Sequence, residues 1–331
     1  MHPRSKILDA QTPLVKAARL SEDLGIELFI KRDDLAGPTF GGNKSRQLEY
    51  YFGDAVAQGA DTILITGAVQ SNFARLAAAV AARHGMKAIL QLEERVQGKS
   101  TTYKRSGNVL LAHMLDAEIM TYPYGEDEAG ADAALQEKAL ELKEAGRNPY
   151  VIPLAENHPP LGALGYVDAA QEILAQSEDF DTYVVASGSG STHAGLLAGL
   201  RGSGSTARVI GSCVRRPATA QGPRIRRVMD RLTKLYSPAA TVTDEDIVVW
   251  DGALAPGYGK LGALSRQAIK MMAGREGLHL DPVYTAKSFA AVLAKVETGE
   301  IAQGSRVCFV HTGGLAALFA YQEDLSDDTS A

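Results

Sequence analysis

Cysteine is scarce, with two in 331 residues, Cys213 and Cys308. Each sits in a short apolar run, 209–214 or 307–310, and reads as a buried strand residue rather than half of a disulfide or a metal pair. The seven histidines show no ligand spacing, so no metal is expected. No apolar run reaches the ~18 residues that a membrane helix needs. Residues 1–20 are polar, are broken by Pro3 and Pro13, and lack the apolar stretch of a secretion signal. Basic charge is not in excess either, since the net is −5. The densest basic cluster, Arg224, Arg226, Arg227 and Arg231, has the spacing of a solvated helix side around Val228 and Leu232. These absences argue against a disulfide scaffold, a membrane span and a nucleic-acid footprint. They predict a cytoplasmic protein.

What is present is an ordinary globular composition, 45% hydrophobic and 22% charged, in a chain long enough for two domains. Short β-rich runs alternate with Ala-rich or amphipathic runs. TILIT at 62–66 precedes a helix-forming stretch at 71–84, and MKAILQL at 86–92 precedes one at 107–115. Residues 118–122, a long helix over 128–145 and a strand at 150–153 continue the repeat. It restarts with YVVA at 183–186, a helix over 193–200 and a strand at 209–214. Helices over 222–235, 261–275 and 286–298 and a strand at 306–311 follow, while IELFIK at 26–31 precedes everything. Strands joined by helices imply parallel sheets covered on both faces. The expected fold is α/β: two three-layer domains with mostly parallel sheets and a crevice between them. Residues 1–47 with 159–331 form the larger domain, and 48–158 form a smaller inserted one.

Four segments carry polar groups at loops where an α/β sheet places ligands. In the first, Lys31-Arg32-Asp33-Asp34 is followed by Gly41-Gly42-Asn43-Lys44. The glycines admit close backbone approach, and the N–H groups of a starting helix beside Lys44 would make it a nucleophile for an aldehyde. Taken alone, GGNK more often marks a turn with an exposed lysine. The second, residues 187–192 (SGSGST), lies between an apolar strand and an apolar helix and reads as a phosphate-monoester site. No Walker lysine follows it. The third, Gln70-Ser71-Asn72, follows the TILIT strand; it suits a carboxylate and a ring hydroxyl, or a plain helix cap. The fourth comprises Gly257-Tyr258-Gly259, Asp281-Pro282-Val283-Tyr284-Thr285 and His311-Thr312-Gly313-Gly314, whose tyrosines can stack on an aromatic ligand, donate a proton, or simply pack.

The ordered set KRDDL, GGNKSRQLEY, GAVQSN, GNVLL, LGALGY, SGSGSTHAG, GYG, DPVY and HTGG spans nearly the whole chain. As a set it resembles the D-cysteine desulfhydrase and 1-aminocyclopropane-1-carboxylate (ACC) deaminase group of fold-type-II, tryptophan synthase β-like, pyridoxal 5′-phosphate (PLP) enzymes. The resemblance implies PLP in the interdomain crevice and a small amino acid as substrate. Lys44 would carry the cofactor as a Schiff base and move the Cα proton. Asn72 would bond the ring hydroxyl, and Ser189, Gly190, Ser191 and Thr192 would hold the phosphate. Ser71 with Gln70 would grip the substrate carboxylate. Tyr284 would lie against the ring, and Tyr258 would sit near the reacting carbon. Thr285 stands where ACC deaminases carry the acidic partner of the pyridine nitrogen, and Thr312 matches a threonine of the desulfhydrases. Neutral hydroxyls make a weaker electron sink, which favours β-elimination over ring opening.

The chain departs from the family at Phe73, at Leu76 and in residues 155–160, where Glu156 would add a carboxylate to the substrate pocket. The expected reaction is α,β-elimination, with D-cysteine giving pyruvate, ammonia and hydrogen sulfide. ACC deaminase, L-cysteate sulfo-lyase and other amino-acid ammonia-lyase activities stay open, as does a PLP-binding protein without lyase activity. The family implies a homodimer.

Overall fold

The computed structural model describes residues 2–153 and 158–326. Ten strands fall into two sheets. In chain order the elements are β1 (Leu14–Lys16), α1 (Ala18–Leu24), β2 (Glu27–Lys31), α2 (Lys44–Ala57), β3 (Thr62–Ala68), α3 (Asn72–Arg83), β4 (Lys87–Glu93), α4 (Thr101–Arg105), α5 (Gly107–Met114), β5 (Glu118–Tyr122), α6 (Glu128–Glu144) and β6 (Pro149–Ile152). Then come α7 (Leu161–Gln176), β7 (Thr182–Ser187), α8 (Ser191–Gly202), β8 (Arg208–Cys213), α9 (Ala218–Leu232), β9 (Val248–Trp250), α10 (Ala263–Glu276), α11 (Thr285–Glu297), β10 (Arg306–Val310), α12 (Leu315–Ala320) and α13 (Gln322–Ser326).

The larger sheet has the order β1-β2-β10-β7-β8-β9, with only β1 antiparallel; the smaller, β5-β4-β3-β6, is wholly parallel. Side chains alternate across each strand. In the larger sheet Tyr183, Val185, Cys308 and Val310 enter one core, while Val184, Val307 and Phe309 enter the core on the opposite face. In the smaller sheet Ile63, Ile65 and Leu90 face one core and Leu64 and Ile89 the other. Both sheets are therefore covered on both faces, and the chain is an α/β protein of mostly parallel sheets.

The LGALGY run is a helix-packing device. It opens α7, whose glycines let neighbouring backbones close in. A Cβ at Gly165 would lie 2.2 Å from the Arg46 carbonyl of α2, and one at Gly195 of α8 would lie 2.1 Å from the Ala163 carbonyl of α7. The KRDD segment is structural too. Asp33 is fully buried and accepts two hydrogen bonds from Arg46 (2.8 and 2.9 Å) and one from Tyr166 (2.6 Å). Lys31 donates to Glu172 and to the Thr12 carbonyl. This buried network ties β2, α2 and α7 together rather than facing a ligand. Arg32 pairs separately with Asp34 (2.8 and 2.7 Å).

Strands of both sheets end at one crevice, lined by residues that follow β3, β4, β7, β8 and β10. No helix among the described residues is long and apolar enough to cross a membrane.

Candidate active site

Lys44 is the first residue of α2, and its neighbours Gly41 (φ 57°) and Gly42 (φ 129°) turn the chain sharply before it. Gly42 also eases a close approach, since a Cβ there would sit 3.3 Å from the Thr312 carbonyl. That same carbonyl accepts the Asn43 N–H (3.1 Å), so the lysine turn and the 312–314 turn are locked together. Lys44 opens onto the crevice, with its Nζ 3.3 Å from Gln47 Oε1 and 4.9 Å from the Phe73 ring centroid. Protein packs closely enough round it that desolvation pulls its pKa down to about 8. Phe73, one of the departures from the family pattern, thus supplies apolar surface beside the amine. Leu76, another, is buried beneath Gly42.

Ser71 is both a cap and a site residue. Its Oγ accepts the Ala74 N–H (3.1 Å) and its side chain lines the crevice, leaving the hydroxyl hydrogen to donate. Asn72 also lines the crevice; its Oδ1 accepts from Asn108 Nδ2 (2.9 Å), which leaves its NH₂ as a donor. Asn108 is held in turn by Arg75 (2.8 Å) and the Gln70 carbonyl (3.1 Å). Gln70 is a correction. Its amide donates to the Tyr103 and Ser106 carbonyls (2.6 and 3.0 Å) and accepts the Asn108 N–H (2.9 Å), so the buried side chain braces 103–108 and cannot grip a substrate carboxylate.

The 188–192 loop opens α8, with Gly190 at φ 109°. Ser189, Gly190 and Thr192 line the crevice, whereas Ser191 lines a smaller adjoining cavity beside Gln47 and Pro160. The Thr192 hydroxyl accepts from Asn43 (2.9 Å) and Gln47 (2.8 Å), so the loop is tied to the lysine turn. Backbone N–H groups, a helix N-terminus and hydroxyls form an anion cradle that suits a phosphate.

Tyr258 and Tyr284 also line the crevice, with hydroxyls 2.7 Å apart and rings edge to face. Burial, then the neighbouring Tyr258, holds the Tyr284 phenol well above its ordinary pKa. Lys287 anchors the 257–259 turn by donating to the Leu254 and Gly257 carbonyls (2.9 and 2.7 Å). Thr312 lines the crevice, but Thr285 does not. The Thr285 hydroxyl is fully buried, donating to Asp281 Oδ1 and accepting the Asp281 N–H (both 2.7 Å). The Asp281 carboxylate also receives the N–H groups of Val283, Tyr284 and Thr285 and so caps α11. Thr285 is therefore corrected from a ring partner to part of a cap. Glu156 lies outside the described residues.

The crevice also has a charged wall that sequence motifs do not reveal. Arg95 is forked onto Glu93 (2.9 and 2.7 Å), and its guanidinium carbon is 5.9 Å from the Tyr258 ring centroid. Glu128, the first residue of α6, accepts from Arg215 (2.6 Å), Arg216 and Arg224 (3.2 Å). Arg216 and Arg224 also donate to the Gly188 and Ser189 carbonyls of the phosphate-type loop (3.3 and 2.9 Å). Arg224 is buried behind that wall, so the arginine cluster read as a solvated helix side is not wholly solvated.

The family model for pyridoxal-phosphate dependent enzymes matches residues 7–313. The chain belongs to that family. D-cysteine desulfhydrase of Klebsiella pneumoniae subsp. pneumoniae is 40% identical over 326 residues, 98% of this chain and 97% of that one. The Salmonella typhi protein of the same name is 39% identical over 96% of both. A solved ACC deaminase homologue superposes with TM-score 0.87 at 35% identity over 98% of this chain and 96% of its own. O-ureido-L-serine synthase, at TM-score 0.68 and 18% identity over 96% and 92%, shares the fold. PLP is the family's cofactor, and a lysine amine of lowered pKa, an anion cradle and an oriented asparagine donor suit its aldehyde, phosphate and ring hydroxyl in turn.

Proposed function

We propose that this PLP enzyme catalyses α,β-elimination on a small amino acid, with D-cysteine and water giving pyruvate, ammonia and hydrogen sulfide. One observation carries the reading: Lys44 shares a single crevice with the 188–192 cradle, Ser71, Asn72 and the tyrosine pair. The names of the 40%-identical relatives support D-cysteine.

Bound PLP supplies an electron sink for the charge that develops at Cα. Lys44 Nζ would hold the cofactor aldehyde and, once freed by the substrate amine, would move the Cα proton. The Ser71 hydroxyl donates to the substrate carboxylate, while Asn72, already turned by Asn108, donates to the ring hydroxyl. Ser189, Gly190 and Thr192 would hold the phosphate, with Ser191 beside them. The Cβ–S bond breaks with its electron pair on sulfur, and the hydrogen-bonded Tyr258–Tyr284 pair is placed to pass a proton to the leaving group. Thr312, which lines the crevice, would be a neutral partner for the pyridine nitrogen, and such a partner fits loss of thiolate better than opening of a cyclopropane. ACC deamination is the second reading, favoured by the 35%-identical solved homologue.

In this reading residues 48–158 form the small domain and the two flanking segments the large one. Exposed Leu110, Met114 and Phe319, carried by the mutually packed α5 and α12, fit a homodimer contact, and the two buried free thiols fit a reducing cytoplasm. The test is spectral and catalytic. Wild-type protein should show a visible PLP band and release pyruvate from D-cysteine faster than from L-cysteate or D-serine, or 2-oxobutyrate from ACC. Lys44→Ala should lose both band and turnover. A band with no product from any of the four would leave a PLP-binding protein without lyase activity.

A further inference from the structure

Arg95 stands out in the crevice wall. Its side chain is only 7% exposed, yet it lines the cavity. Nε and Nη2 are held by Glu93, whose carboxylate also accepts the Thr66 hydroxyl (2.8 Å). Nη1 has no hydrogen-bond partner among the described residues. A guanidinium carries five donors in a fixed fork, and this fork spends two on Glu93. Nη1 retains solvent access, so its free edge faces the crevice, where an acceptor on a ligand can take the place of water.

The location says which part of a ligand that acceptor belongs to. Arg95 follows β4, and its guanidinium lies over Tyr258, on the side where the leaving group departs in the proposed reaction. The α-carboxylate is taken by Ser71. The other carboxylate on this wall, Glu128, is already engaged by three arginines and presents no open acid to repel an anion.

We propose that Arg95 forms a subsite for an oxyanion on the β-substituent of the substrate, so that the crevice prefers amino acids bearing a second acidic group beyond Cβ. Glu93 and Thr66 position the guanidinium. This deepens the elimination reading and rests on it.

The test uses PLP-loaded protein and two isosteric compounds, S-carboxymethyl-D-cysteine and its neutral amide, S-carbamoylmethyl-D-cysteine, with D-cysteine as reference. Wild-type kcat/KM for pyruvate release should favour the acid over the amide by about 10-fold or more, as a charge-assisted hydrogen bond implies. The double variant E93Q/R95Q, which removes both charges and so leaves neither buried alone, should bring the ratio to about 1. A wild-type ratio of 1 or below overturns the subsite, and it does so even if the variant fails to fold. A ratio that survives in the variant, as when Arg95 serves the α-carboxylate of every substrate alike, also overturns it. Titrating the visible band with both compounds separates this from the reaction class. Tighter binding of the acid, lost in E93Q/R95Q, with no pyruvate from any compound keeps the subsite and sinks the elimination reading; equal binding of acid and amide sinks the subsite.

Discussion

An exposed lysine is an ammonium ion at neutral pH and cannot attack an aldehyde. Lys44 differs because its surroundings, Phe73 among them, withhold water and bring its pKa to about 8. The neutral amine therefore accumulates as pH rises through about 8 instead of through the ordinary lysine range near 10.4. Stripped protein should accordingly take up PLP at a rate that climbs through pH 8 and then levels. Phe73→Gln, by letting water and a dipole reach the amine, should move that midpoint upward by part of a pH unit. A rate still rising at pH 10 in the wild type would show that Lys44 is not desolvated. Residues of this kind were legible from the sequence because glycines and helix starts announce them. Gln70 and Thr285 misled because adjacency along the chain is not adjacency in space. Each neighbours a crevice residue, yet its side chain turns inward to brace backbone. Arg95, Glu128, Arg215 and Arg216 gave no signal at all, since charged residues outside a motif look like solvent-facing ones until tertiary contacts place them.

At the scale of elements, alternation and helix-forming runs predicted most strands and helices to within a few residues. Short or glycine-bearing elements escaped, namely β1, β9, α1, α4, α7, α12 and α13, and α2 was read only at its start. In α7 the glycines that weaken helix propensity are the ones that admit α2, just as Gly195 and Gly199 of α8 admit α7, and such use shows only after packing. Two substitutions separate the roles of helical glycine. Gly195→Ala places a methyl against a backbone carbonyl that cannot yield and should destabilise by about 1–3 kcal/mol. Gly274→Ala, in an exposed stretch of α10 with nothing within 4 Å, should stabilise by about 0.5–1 kcal/mol. Urea midpoints of the two variants should move in opposite directions.

For the whole molecule, the decisive arrangement is that strands of both sheets end at one crevice and that Glu128 crosses it. The residue comes from the segment between β5 and β6 of the smaller sheet, while its arginine partners follow β8 of the larger one. Two of those arginines also hold carbonyls of the 188–192 loop. Glu128→Gln should leave mutually repelling guanidiniums in place of a clasp. PLP should then be retained about tenfold more weakly, with a lower Tm, and both deficits should depend on ionic strength. Unchanged PLP affinity would mean that the loop holds its shape without the crossing residue.

Cys213 and Cys308 end up as buried strand residues, Cys213 immediately before Val214 of the crevice lining. Burial pushes the Cys213 thiol up to about 12 and raises that of Cys308 as well. Only a thiolate exchanges with disulfides or is captured by sulfane sulfur. Under the proposed reaction the protein works in a bath of its own making, with thiol entering and sulfide leaving, yet its two sulfurs are chemically silent there. It should survive prolonged turnover without mixed disulfides or persulfides. Iodoacetamide should label neither cysteine in the folded protein and both after unfolding, and rapid native labelling of either would show that this immunity is absent.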